Sequence, residues 1–116
     1  MKVYDIYDNA CLLMGYNEQQ STSADNQAMK DRVVSAVTMI GYDLYKMPPV
    51  KRIFDNAQVP EKYYDALLYG VCMLLSLSCG DDEKNRYFTE NYNLKRGCVK
   101  SEKASISDNV PSVRGV

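Results

Sequence analysis

Four cysteines, two helix-borne serines and one run of acids are the groups in this sequence whose chemistry could react or bind. Cys11, Cys72, Cys79 and Cys98 include no C-x-x-C pair, and the chain has no histidine, so none of the common zinc ligand sets is present. Cys72 and Cys79 stand seven apart, which on a helix puts them on one face but about 10 Å apart along the axis, too far for a disulfide. Both are read as small core residues with reduced thiols, since free cysteine is among the most buried residue types. The missing histidine also removes the commonest general base, and with it Ser-His and Cys-His catalysis within one chain. Ser76 and Ser78 have no base beside them and are expected to bond back to their own helix. Asp81-Asp82-Glu83 lacks the spacing of a calcium loop, and acids gather at helix starts because the dipole favours them there. No glycine-rich phosphate loop occurs. The expectation is no catalytic set, no metal and no cofactor, hence no enzyme.

Binding is the remaining chemistry, and tyrosine is its most prominent carrier. Ten tyrosines stand against two phenylalanines and no tryptophan. Tyrosine joins apolar area to a hydroxyl and suits either the rim of a small core or a protein interface. Stacking on single-stranded nucleic acid would also need a basic groove. Here Asp5, Asp8, Asp43 and Asp65 interrupt the tyrosines. Fourteen Lys and Arg against 15 Asp and Glu give a net charge of -1, so no global field draws the chain to nucleic acid. The one basic bias, Lys95, Arg96, Lys100 and Lys103, suits a solvated helix end.

The elements that must carry these groups are helices. A chain of 116 residues, 46% hydrophobic and 25% charged, fits one globular domain. No apolar stretch approaches the roughly 20 residues that span a bilayer, and no apolar run follows Met1-Lys2-Val3-Tyr4-Asp5, which points to a soluble intracellular protein with no membrane partner. Val3, Ile6, Ala10, Leu13 and Met14 form a helical stripe that Gly15 ends. Asn17 to Asn26 reads as a loop. Met29, Val33, Ala36, Val37, Ile40 and Leu44 make a second stripe, continuing through Gly41 to about Lys46 and stopped by Met47-Pro48-Pro49. Val50 to Val59 leaves room for a short turn of helix. Pro60 and Glu61 open a third helix, apolar nearly all round, that should be surrounded by its neighbours, with Leu67, Val71, Leu74 and Leu75 at the buried centre. Gly80 closes it. A fourth helix runs to about Arg96, with Tyr87, Phe88, Tyr92 and Leu94 inward, and ends at Gly97. From Cys98 onward isolated valines among serines and charges read as a tail. The fold class is therefore all-α, a bundle of four helices, or five with the turn, comprising residues 1–97 and a C-terminal tail at 98–116.

The run Asp65 to Leu77, then Gly80-Asp81-Asp82, Tyr87-Phe88 and Tyr92-Asn93-Leu94-Lys95-Arg96, resembles the core of the small head-tail connector proteins of tailed phages and prophages. The likeness covers roughly residues 3 to 97. It implies a non-enzymatic structural subunit of the virion, assembled in the bacterial cytoplasm and repeated around a ring between portal and tail. DNA would be only the cargo passing through. The ring itself, the portal and the tail or head-completion proteins are the implied partners. Residues 98–116 would be a docking arm, and Tyr87, Tyr92, Lys95, Arg96, Val99, Ile106, Val110 and Val113 the residues meeting a neighbouring subunit or the portal. A general helical interaction adaptor is the alternative class. A helical DNA-binding or packaging protein is a further one, but no helix here offers the basic surface it would need.

Overall fold

The computed structural model describes residues 1–108, with side chains through residue 101. It is an all-α bundle of four helices: α1 (Val3–Met14), α2 (Ser23–Tyr45), α3 (Glu61–Cys79) and α4 (Asp82–Asp108), with a 3-10 turn at Glu18–Gln20.

Local chemistry sets most of the boundaries. Asp5 returns its carboxylate to the Lys2 amide at 3.3 Å at the start of α1, and Gly15 closes that helix in the left-handed conformation at φ 75°. The Gly15 and Tyr16 amides then bond back to Leu12 and Cys11, satisfying carbonyls that the helix end would leave open. Thr22 accepts from the Asp25 amide at 3.0 Å, so α2 begins earlier than its apolar stripe suggests. It runs through Gly41, where an added Cβ would meet the Met47 side chain at 2.8 Å. The glycine thus lets the chain after the helix fold back onto it. Pro60 caps α3, and Gly80 at φ 73° ends it. Asp81 caps α4, accepting from the Lys84 amide at 3.0 Å.

Packing is built around α3, which touches each of the other helices. Its Ala66, Leu67, Val71, Cys72 and Leu75 are buried with Val3, Ile6, Val33, Val37 and Phe88 in one core. Gly70 permits the closest approach: a Cβ there would lie 2.7 Å from Ile40 Cγ2 and 2.8 Å from Tyr92 Cε1. Helix α4 lies antiparallel to α3, Tyr92 beside Gly70 and Asn85 donating to the Met73 carbonyl at 2.9 Å. By that register α3 begins opposite about residue 101, and the rest of α4 extends roughly 10 Å past it.

Several expectations are corrected. Helix α4 does not stop at Arg96; it continues through Gly97 to Asp108. Val99, only 9% exposed, holds the far side of the glycine against the body, and a mid-helix glycine costs only about 1 kcal/mol. Tyr87 is 54% and Leu94 69% exposed, because the inward stripe is Phe88, Tyr92 and Val99, and these two positions lie well round the helix from it. Leu74 is only partly buried. Cys79 is exposed with Cys98, Cys11 is intermediate and Cys72 alone is buried. The connection between α2 and α3 contains a turn closed by the Asp55 amide on the Arg52 carbonyl, not a fifth helix. Among the described residues the cysteines are all free.

Candidate interaction surfaces

The residues expected to meet partners divide between two sides of α4. Tyr92 is 4% exposed and donates its hydroxyl to Asp43 Oδ2 at 2.7 Å. Arg96 grips the same carboxylate with two bonds, Nε to Oδ2 at 2.7 Å and a terminal nitrogen to Oδ1 at 3.1 Å. The cluster ties α4 to α2. The Arg96 bond, helped by Tyr92, holds the Asp43 carboxyl down at about 2, against the opposing effect of burial. Burial, followed by the bond to Asp43, raises the Tyr92 hydroxyl. Tyr92, Arg96 and buried Val99 therefore serve cohesion within the chain.

Tyr87 and Lys95 gather instead around Tyr69 of α3. The Tyr87 ring is 6.4 Å from it, and Lys95 Nζ lies 4.7 Å over its face, a cation-π contact. The Ile106 side chain lies beyond the described side chains, and Val110 and Val113 lie outside the described residues.

Other tyrosines staple the core, Tyr7 and Tyr63 buried within it and Tyr16 and Tyr45 at its rim. Tyr7 donates to Glu18 at 2.6 Å, and Tyr16 to Asn26 at 2.6 Å. Tyr45 donates to the Gln58 carbonyl at 2.8 Å and stacks on Tyr63 at 4.8 Å. Burial, with Tyr63 nearby, pushes the Tyr45 hydroxyl up to about 12. Only Tyr42 and Tyr87 are exposed. The serines behave as expected: Ser76 donates to the Met73 carbonyl at 3.0 Å and Ser78 to that of Leu74 at 3.2 Å. Among the described residues no group of three or more Cys, Asp or Glu could hold a metal ion, and no helix is long and apolar enough to cross a membrane.

Two grooves, the first mainly apolar and the second mixed in polarity, were not anticipated. The first, of about 350 Å³, runs between α2 and α3 and is lined by Arg32, Ala36, Met39, Leu74, Leu77 and Ser78 among others. The second, of about 420 Å³, lies between α1 and α3 against Leu12, Leu13, Tyr64, Asp65, Leu68 and Tyr69. Met39 is 60%, Leu77 66% and Leu12 80% exposed. Around α3, Leu74 and Leu77 of the first groove lie about 120° and 180° from Leu68 of the second, so the grooves open on different faces of the helix. The expectation that α3 is enclosed by its neighbours thus fails toward its C-terminal end. Asp43 was also missed, although it lies three residues after Ile40, beside the apolar stripe of α2. The exposed leucines and Met39 carried a fainter signal, being apolar at positions off the buried stripes.

No protein-family model matches this chain, and no curated protein or solved structure matches it significantly.

Proposed function

We propose that this chain is a non-enzymatic structural subunit that associates with copies of itself into a ring, standing as a head-tail connector between the portal and tail of a phage or prophage particle. The observation that carries this reading is the pair of unlike grooves on different faces of α3, one mainly apolar and one mixed in polarity. A single self-complementary patch closes after two copies, whereas two different patches joined head to tail generate rings when the rotation closes. The body is also thin, 58 × 31 × 16 Å along its principal axes. The resemblance of residues 65 to 96 to connector proteins names the place such a ring would occupy. DNA is cargo in this reading.

The test is the mass of the purified protein in solution at increasing concentration, imaging of any large species, and co-sedimentation with portal rings from the same particle. Closed rings, or retention on portal rings, are the expected result. A chain that stays monomeric at millimolar concentration and is not retained would favour the general adaptor. Salt-sensitive binding to duplex DNA by the monomer would favour the packaging-protein alternative.

A further inference from the structure

We draw no further inference here: the strongest candidate, the mainly apolar groove between α2 and α3 bordered by Met39, Leu74 and Leu77, carries charges of both signs in Asp31 and Arg32, and nothing in the structure shows what covers it.

Discussion

Asp43 binds two residues of α4 at once, and the two contacts differ in worth. Tyr92 is buried, so its hydroxyl depends on the carboxylate. Tyr92→Phe should cost about 1 kcal/mol, the usual net value of a hydrogen bond. Arg96 keeps 39% of its side chain in solvent, and Arg96→Met should cost less than about 1 kcal/mol. Urea midpoints of the two variants check the order. The acid response follows from Asp43, whose carboxyl moves from 3.8 to about 2 on folding. As pH falls below 4 the unfolded chain takes up this proton first, so the stability that the cluster contributes is present above about 4 and lost progressively toward about 2. Asp43→Asn should therefore be less stable than wild type at pH 7, with the gap narrowing toward pH 2.5. A gap that stays constant would show that the carboxylate charge contributes nothing.

Helices α3 and α4 each contain one glycine with the same local cost and a different surrounding. Gly70 stands where Ile40 and Tyr92 leave no room for a Cβ, so Gly70→Ala should destabilise by about 1–3 kcal/mol through overpacking. Gly97 has nothing within 4 Å of that position, and Gly97→Ala should stabilise by up to about 1 kcal/mol, the helix-propensity difference. Chemical denaturation of both measures opposite signs from one substitution. The same pair shows what could be read in advance. Gly15, Gly80 and the Pro60-Glu61 start were legible because each end is decided by a few adjacent residues. Gly97 reads identically in the sequence, yet Arg96 on Asp43 and Val99 in the core hold the helix on both sides of it. Those partners are distant in the chain. Tyr92 and Arg96 were expected to meet a neighbouring subunit or the portal, and their bonds to Asp43 on α2 were invisible for the same reason. The grooves were harder still, since Leu77 looks like Leu75 until the neighbours of each are known.

The molecule has one core, and α3 runs through it from end to end, so its positions grade from sealed to open. Leu67 has no exposed surface, and Leu67→Ala should cost about 2–5 kcal/mol. Leu74 borders the first groove, and Leu74→Ala should cost distinctly less, because solvent and side chains can relax into the space. Equal losses in thermal or urea melts would mean that the groove is closed in solution. The cysteines sample the same gradient. Cys79 and Cys98 are exposed, while Cys72 has no exposed surface and burial pushes its thiol up to about 12. A thiol reagent under native conditions would therefore modify Cys79 and Cys98 at once, half-buried Cys11 more slowly, and Cys72 last, only when the helices separate. The slowest phase, that of Cys72, is a built-in kinetic record of that separation. Divided by the reaction rate of an unprotected thiol, it gives the opening equilibrium of the whole body in water, without denaturant or extrapolation.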